Sequence, residues 1–405
     1  MLKSVAANKL LVELQRMPHP HQVRTSTPGQ DRTRTENYRM VRIGIIGLGF
    51  MGMTHFEGAN RFEDDPKSGR RRITGSKLKN GKVTAIATRD PKKLDGDWRS
   101  IQGNFGPPGA LNDLSKITTY SDYHDLLADP DIDLVDVCLP LEQHERVALE
   151  AIKAGKNVIV EKPISLDLKS ANRMVAAAEK ANVQLMVAHV LPFFPEFEFA
   201  LSTVASGKYG KLKAAHLRRV ITPPNWSSSL SDFRKIGGWG IDLHIHDNHF
   251  ISTLCGVPKQ VFSQGTLIDG LVNHVHSNYV YDDPDLAVSC VSGGIAAKGL
   301  EFAHGFELFL EDATIAYSAG TYDGEWVVDR QVTLITNKGK KVTNPKLKGG
   351  SEWCSAFTAE LQAVVDGVIA GKSPDILSGA MARDALKLCH AEAKSIASGR
   401  LVKVS

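Results

Sequence analysis

The sequence has few cysteines and no long hydrophobic run. Its five cysteines are scattered, odd in number and free of any C-x-x-C pair: Cys138, Cys255, Cys290, Cys354 and Cys389. This pattern predicts reduced thiols in a cytoplasmic protein and argues against a disulfide framework, a zinc site or dithiol redox chemistry. No apolar stretch approaches the ~20 residues of a transmembrane helix, so a membrane protein is not expected.

The chain also lacks a basic surface for nucleic acid. Its formal net charge is +4 over 405 residues. Residues 1–39 account for all of it, because they hold seven Lys or Arg and three Asp or Glu. They show no secretory signal pattern and are predicted to be a disordered extension, with a transit peptide as the alternative. The neutral remainder argues against a nucleic-acid partner.

The glycine-rich segment MVRIGIIGLGFMG, residues 40–52, is typical of a buried strand that turns into a helix. Gly47 permits the tight turn, Gly49 lets a pyrophosphate approach the backbone, and Gly52 lets the helix pack on the strand. Phe50 and Met51 complete the turn, so all five residues are predicted to bind a dinucleotide. An ordinary glycine turn is the alternative.

The second predicted strand, residues 83–88, ends at Thr88 and Arg89. A carboxylate at this place would bind the adenosine ribose of NAD. A hydroxyl followed by a guanidinium suits a 2′-phosphate better, which favours NADP slightly over NAD. Alternatively, Arg89 stacks on the adenine or is solvated.

Strands and helices alternate up to about residue 188, which predicts a doubly wound parallel sheet. Later segments alternate over longer stretches and predict a large, mostly antiparallel sheet with helices on one face. We therefore expect an α/β Rossmann domain at 40–165 and an α+β substrate and oligomerisation domain at 166–405. Of the two insertions, 61–81 is predicted to be a solvated basic loop. The other, 95–116, could bring Trp98, Arg99 or Asn104 to a ligand, or could simply be a packed loop.

Lys162 is the first candidate catalytic residue. It ends a strand of the nucleotide domain, where side chains emerge beside the nicotinamide, and Glu161 and Pro163 restrict its direction. A surface lysine is the alternative.

The second candidate is GGWGIDLHIHDNHF, residues 237–250. Asp242 and His246 are four residues apart, which places them on one face if the segment is a continuous helix. A histidine with an ordinary pKa can take the hydroxyl proton while Asp242 orients it or the substrate. A metal on Asp242, His246 and His249 is an alternative, but no companion cluster elsewhere in the sequence supports it, so no metal is predicted. His244 and His249 have a structural role as their main alternative.

Three motifs in order resemble the Gfo/Idh/MocA family of NAD(P)-dependent oxidoreductases: GLGFMG, the EKP of residues 161–163, and the D-x-x-x-H of residues 242–246. Pro140 and His144 resemble the family's segment beside the nicotinamide. The resemblance spans about residues 41–404. It implies that Lys162 polarises the reacting oxygen, that His246 is the acid/base, and that Asp242 helps bind a sugar, polyol or related cyclic alcohol.

The chain departs from the family around the substrate pocket. AHVLPFFPEF replaces a polar N-x-R segment and brings in His189, while His249 stands where Asp is common and His244 where Gly is common. We therefore expect a remodelled pocket, with His189, Trp239 and His249 as candidate substrate residues.

Together these patterns predict a dehydrogenase or reductase acting on CH–OH groups, assembled as a homo-oligomer, dimer or tetramer. One alternative is a glycosidase-like relative that keeps NAD bound and acts by transient oxidation. The other is a non-catalytic nucleotide sensor, which would need neither Lys162 nor His246.

Overall fold

The structure, a computed structural model, describes residues 40–103, 105–223, 232–342 and 352–404. The predicted disorder of residues 1–39 and the ligand role considered for Asn104 fall outside these ranges. Within them, no helix combines the length and apolar character needed to cross a bilayer.

The first half of the chain is a six-stranded sheet flanked by helices. A small three-stranded sheet lies beside it in the sequence. The strands of these two sheets are β1 (Val41–Ile46), β2 (Asn60–Asp65), β3 (Arg70–Ser76), β4 (Gly81–Ala87), β5 (Asn112–Asp113), β6 (Thr118–Tyr120), β7 (Leu134–Val137), β8 (Asn157–Glu161) and β9 (Leu185–Ala188). Its helices are α1 (Phe50–Ala59), α2 (Pro91–Leu94), α3 (Tyr123–Ala128), α4 (His144–Lys153) and α5 (Leu168–Ala181).

The large sheet of this half is parallel, in the order β6-β4-β1-β7-β8-β9. Strand β7 is buried at every position, as expected when helices cover both faces. The order reverses between β1 and β7, and this switch point is where open α/β sheets bind ligands.

The insertion at 61–81 is ordered, so its prediction as a solvated loop was wrong. Strands β2 and β3 form a hairpin, and β3 also pairs with β5. Ile73 is buried, while the Arg71 guanidinium pairs with Glu57 and lies 4.7 Å from the centre of the Phe62 ring. Buried Ile73 and the ion pair between Arg71 and Glu57 of α1 hold this hairpin in place, although most of its residues are polar.

The second half is built on a nine-stranded sheet. Its elements are α6 (Pro195–Ala205), β10 (Leu212–Ile221), α7 (Trp239–Asp242), α8 (Ile245–Cys255), β11 (Gln260–Ile268), β12 (Leu271–Val280), β13 (Ala287–Gly294), β14 (Leu300–Leu310), β15 (Ala313–Tyr322), β16 (Glu325–Thr336), β17 (Gly339–Val342), α9 (Ser355–Ala370), α10 (Gly379–Ser398) and β18 (Val402–Lys403).

This sheet runs β17-β16-β15-β14-β10-β13-β12-β11-β18, and its pairs are antiparallel except β10 with β13. The predicted fold class is therefore confirmed. Helices α6, α8 and α10 contribute to the core beneath the sheet through residues such as Phe197, Phe250 and Leu388.

The end of the chain returns to the first sheet. Leu361 and Val365 of α9 share a core with Ile43 and Ile45 of β1. In addition, β9 pairs with β8 and so adds residues beyond 165 to the parallel sheet. The domain boundary at 165 stays a prediction, while the packing joins the two halves through both β9 and α9.

Candidate active site

The turn after β1 has the geometry that its glycines predict. Gly47 has φ +94°, and a Cβ there would lie 2.4 Å from the Cys138 carbonyl oxygen. A Cβ on Gly52 would lie 2.1 Å from the Gly47 carbonyl oxygen, whereas one on Gly49 would meet no atom within 4 Å. The turn and helix are thus closely packed on the protein side, and the space beside Gly49 at the start of α1 is open.

A lysine that the motif search missed lies beside this turn. Lys93 Nζ donates a hydrogen bond to the Leu48 carbonyl oxygen at 2.8 Å. Thr88 and Arg89 follow β4; the Thr88 hydroxyl accepts from the Asp90 amide at 3.3 Å, and Arg89 is exposed. The edge of the site therefore carries cations from α2 and from the end of β4. Lys93 gave no sequence signal, because only the fold brings it to residue 48.

The insertion 95–116 packs against the same region. Trp98 is fully buried, donates from Nε1 to the Lys93 carbonyl at 2.9 Å and packs on Phe56. Arg99 is exposed and pairs with Asp97 at 2.9 Å. The contacts of Trp98 and Arg99 with other protein groups agree with the alternative of a packed loop. The insertion still borders the glycine turn, because the Phe105 and Phe50 rings lie 4.7 Å apart.

The segment at Pro140 and His144 joins two strand ends. Pro140 is exposed, whereas His144 is buried with its ring nitrogens 2.9 Å from the Leu139 carbonyl and 3.0 Å from the Pro163 carbonyl. Burial lowers the pKa of His144. The ring lies between the segment after β7 and the segment after β8, with a backbone carbonyl on each side, and a neutral imidazole donates to one of the two.

Glu161 faces inward, toward a buried histidine that sequence reasoning missed. One of its oxygens accepts from the Lys162 amide at 3.1 Å, and the other lies 3.2 Å from His55 Nε2. His55 Nδ1 is 2.8 Å from Asp136. Burial opposes charge on this ring, but Asp136 and Cys138 raise the pKa of His55 well above its usual value. The charged ring joins α1, β7 and β8 under the turn. His55 follows Gly52 by three residues on α1, and this spacing was the available signal.

Lys162 reaches across to the second half of the protein. Its Nζ donates to the Asp242 backbone carbonyl at 2.8 Å and to the Asp242 carboxylate at 3.1 Å. The side chains are 20% and 16% exposed, so the ion pair is shielded yet accessible. The fold thus brings together two of the residues singled out as catalytic, which are 80 positions apart.

Asp242 and His246 do not share one continuous helix, so that expectation is corrected. Asp242 ends α7, and His246 lies in α8. Between them the amides of Leu243 and His244 both bond to the Trp239 carbonyl, at 3.2 and 2.9 Å. This tight irregular turn resets the helical phase. His246 remains half-buried, whereas His244 and His249 are buried.

Three imidazoles cluster beside Lys162. The rings of His189 and His249 stack at 4.1 Å and 5°, and His246 meets His189 edge-on at 6.4 Å. Burial lowers the pKa of His249 to about 4 and those of His189 and His246 well below their usual value, and the Lys162 charge lowers the latter two further. His246 therefore does not keep the ordinary pKa assumed for it. The low pKa keeps this ring neutral.

Several side chains predicted to contact the substrate or a metal make contacts within the protein. His249 Nε2 donates to the Ile376 carbonyl at 2.7 Å, and Asp242 pairs with Lys162. His244 contacts Glu392 at 3.0 Å in the interior, which fits its structural alternative. Trp239 is 3% exposed and belongs to an apolar cluster with Ile236, away from open space.

The comparisons with known proteins match this geometry. Residues 41–189 match the GFO_IDH_MocA family model, described as an oxidoreductase family with an NAD-binding Rossmann fold. The match spans the parallel sheet from β1 to β9 and supports the resemblance seen in the motifs. The myo-inositol 2-dehydrogenase of Thermotoga maritima is 26% identical over 371 residues, which cover 90% of this chain and 98% of that protein.

Two solved structures share the fold of this chain. A probable dehydrogenase from Thermotoga maritima has a TM-score of 0.68 at 24% identity, covering 90% of this chain and 99% of that chain. Levoglucosan dehydrogenase, solved with NADH and levoglucosan, has a TM-score of 0.66 at 17% identity, covering 90% and 99%. The predicted resemblance to this family is supported, and the NAD-binding Rossmann fold and the enzyme class, a dehydrogenase or reductase acting on CH–OH groups, are confirmed.

Proposed function

We propose that this oxidoreductase moves hydride between a nicotinamide and a secondary alcohol or ketone of a cyclic polyol or sugar. The observation that carries the proposal is the contact of Lys162 with Asp242 at the carboxyl end of β8, with half-buried His246 beside it. The named activity of the inositol dehydrogenase relative supports the choice of a cyclic polyol.

Lys162 is the group that polarises the reacting oxygen in this proposal. An ammonium has three donors, and two of them point to Asp242, which leaves one for the substrate. Asp242 sets the direction of that donor. A fixed cation beside the oxygen stabilises the alkoxide that develops as hydride leaves.

His246 is the proton acceptor for oxidation and the donor for reduction. Its buried setting keeps it neutral, so it can take the hydroxyl proton without first losing one of its own. The proton is then shielded from bulk water by His189 and His249, whose stacked rings also offer nitrogens to substrate hydroxyls. These two histidines are the favoured substrate residues, ahead of the enclosed Trp239.

The nicotinamide dinucleotide would supply the hydride acceptor. Gly47, Gly49 and Gly52, with the amides of Phe50 and Met51, would hold its pyrophosphate in the open space beside Gly49. Pro140, His144 and Glu161 would shape the wall beside the nicotinamide, His144 and Glu161 by fixing the strand ends.

NADP is slightly favoured over NAD. Arg89 is exposed after β4, and no carboxylate occupies the Thr88 position. We expect Arg89→Ala to weaken NADP binding far more than NAD binding, measured by calorimetric titration. Lys92→Ala, a neighbouring exposed cation, is the control. Equal losses for both dinucleotides in Arg89→Ala would contradict the NADP preference.

A homo-oligomer, dimer or tetramer, would form through the outer face of the nine-stranded sheet. Phe309 and Ile335 are each 41% exposed on the face away from the helices. Exposed apolar residues on an open sheet are typical of subunit contacts. Light scattering of the wild type and Phe309→Glu would test this.

The five free cysteines are consistent with the predicted reducing, cytoplasmic setting.

The function itself is tested by identifying the dinucleotide in the purified protein and then screening polyols and sugars for a change in reduced-nicotinamide absorbance. Lys162→Ala should abolish the change while the dinucleotide still binds. Turnover of aryl glycosides without net nicotinamide reduction would instead support the glycosidase-like alternative. If Lys162→Ala leaves every measured activity intact while the dinucleotide still binds, the result would support the alternative of a non-catalytic nucleotide sensor.

A further inference from the structure

On the nine-stranded sheet, two buried nitrogen-bearing side chains face each other and have no role in the proposed hydride transfer. Arg219 of β10 and His304 of β14 are directly opposite in the antiparallel register. Residues paired in this way project from the same face with adjacent Cβ atoms. Arg219 is 5% exposed and His304 is 6% exposed.

Arg219 connects this pair to the catalytic helix. Its Nε donates to both oxygens of Asp247, at 3.0 and 3.1 Å, and Asp247 directly follows His246 in α8. The guanidinium is therefore anchored one residue from the proposed proton acceptor. The influence of the Arg219 charge on His246 agrees with this proximity.

Each side chain keeps an unsatisfied nitrogen. Among the described residues, Arg219 Nη2 and His304 Nδ1 are buried without a hydrogen-bond partner. His304 Nε2 lies 3.4 Å from the Tyr317 hydroxyl, which leaves Nδ1 as the nitrogen available to a ligand. A buried donor without a partner is costly, and two adjacent ones indicate a place that a ligand completes.

Aromatic rings frame the two nitrogens. Phe302 lies 5.7 Å from the Arg219 guanidinium and 5.2 Å from the His304 ring. Trp326 lies 5.7 Å from His304 yet is 53% exposed, within a stretch of β16 that is exposed throughout, Glu325–Gln331. The donors thus sit beneath an open aromatic rim.

The local charges favour an anionic group. Burial and the charges of Arg219 and Arg218 lower the pKa of His304, so two guanidinium groups act on this ring. Asp247 pairs with Arg219 through Nε and leaves Nη2 without a partner among the described residues. Glu196 is the nearby acid that influences Tyr317, and burial raises the pKa of Glu196, which weakens its repulsion of an anion. Guanidinium and imidazole N–H groups are strong partners for anionic oxygens.

We propose that Arg219 and His304 form a subsite for an anionic oxygen group, carried by the substrate at the end remote from the reacting carbon, with Trp326 stacking on the part between. The ligand is a carboxylate or a phosphate ester on a cyclic or open sugar. This proposal rests on the proposed function and narrows its substrate to an acidic sugar or polyol.

The test compares glucose, glucuronate and glucose 6-phosphate with the dinucleotide-loaded protein. Calorimetry measures binding and dinucleotide absorbance measures turnover. We expect one of the two anionic sugars to bind at least about tenfold more tightly than glucose, the scale of one charge-assisted hydrogen bond. The preferred one identifies the anion as carboxylate or phosphate.

Two variants locate that gain. His304→Phe preserves the ring volume and removes the donor, and we expect it to raise KM for the anionic sugar about tenfold while kcat and the glucose parameters stay within about twofold. Trp326→Ala should also raise KM, whereas its neighbour Val327→Ala should not. Arg219→Lys retains a cation for Asp247 and should reduce the anionic preference.

The outcomes separate the subsite from the proposed function. Oxidation of glucose with no preference for either anionic sugar would overturn the subsite and leave the dehydrogenase assignment intact. Tight anionic binding that His304→Phe abolishes, with no oxidation of any sugar, would support the subsite and overturn the function. An equal loss for neutral and anionic sugars in His304→Phe would also overturn the subsite.

Discussion

Alanine substitutions at Gly49 and Gly52 separate binding of the dinucleotide from stability of the fold. Gly49 is at the start of α1 with φ −92° and ψ −159°, a conformation open to any residue. A Cβ there meets no protein atom within 4 Å. The Gly49→Ala protein should therefore lose about 1 kcal/mol or less of unfolding free energy, the scale of a changed N-cap residue.

The same methyl group would occupy the space through which a pyrophosphate reaches the helix amides. Losing two charge-assisted hydrogen bonds at about 1.5 kcal/mol each corresponds to a dissociation constant about 100-fold higher. Gly49→Ala should thus fold normally and bind NAD and NADP poorly.

Gly52→Ala should behave in the opposite order. Its Cβ would lie 2.1 Å from the Gly47 carbonyl oxygen and 3.4 Å from Cys138 Cβ, so the turn or α1 must shift. Overpacking of this kind costs about 1–3 kcal/mol. We expect a clear loss of stability without any dinucleotide present.

Urea unfolding of the dinucleotide-free proteins and calorimetric titration with NAD and NADP measure the two effects. Normal dinucleotide affinity in Gly49→Ala would refute the placement of the pyrophosphate. Wild-type stability in Gly52→Ala would refute the close packing of α1 on the turn.

Three further predictions concern other parts of the site. Lys162→Met should lower kcat about 100- to 1,000-fold, the scale of one oxyanion donor, with dinucleotide affinity unchanged; a loss confined to KM would contradict its role. Asp136→Asn removes the carboxylate that holds His55 charged and should cost about 3–5 kcal/mol in urea unfolding, whereas a loss under about 1 kcal/mol would argue against the buried ion pair. Burial holds the pKa of His249 at about 4, so the unfolded chain takes a proton first, and stability should fall as pH drops from about 6.5 toward 4. His249→Gln should flatten that decline in urea unfolding at stepped pH, and an unchanged slope would assign the acid sensitivity elsewhere.

Local sequence was sufficient for much of the fold. Short continuous apolar runs, separated by helical segments, predicted the strands of the parallel sheet, because a strand that is buried on both faces requires consecutive Val, Ile and Leu. Asp167 and Ser378 cap α5 and α10, whose apolar spacing marks their buried faces. Lys162 was identified in the same way, since its position between Glu161 and Pro163 is a local feature.

Local patterns failed where long-range packing decides the outcome. By composition the basic segment 61–81 resembles a loop. It forms a hairpin because β3 pairs with β5 and Arg71 pairs with Glu57. The break between α7 and α8 is likewise invisible to a four-residue spacing. In both cases tertiary contacts outweigh the propensity of the segment itself.

By itself, the sequence determined the glycine turn and the order of the motifs, and it predicted Lys162, Asp242 and His246 as the catalytic candidates. Only the tertiary structure decided that Lys162 meets Asp242, that His55 lies between Asp136 and Glu161, and that Arg219 faces His304. These partners come from different strands and helices, so no periodicity in the chain relates them. The raised pKa of His55, the lowered pKa of His304 and the unsatisfied nitrogens of Arg219 and His304 arise from burial and from neighbouring charges, which exist only in the folded protein.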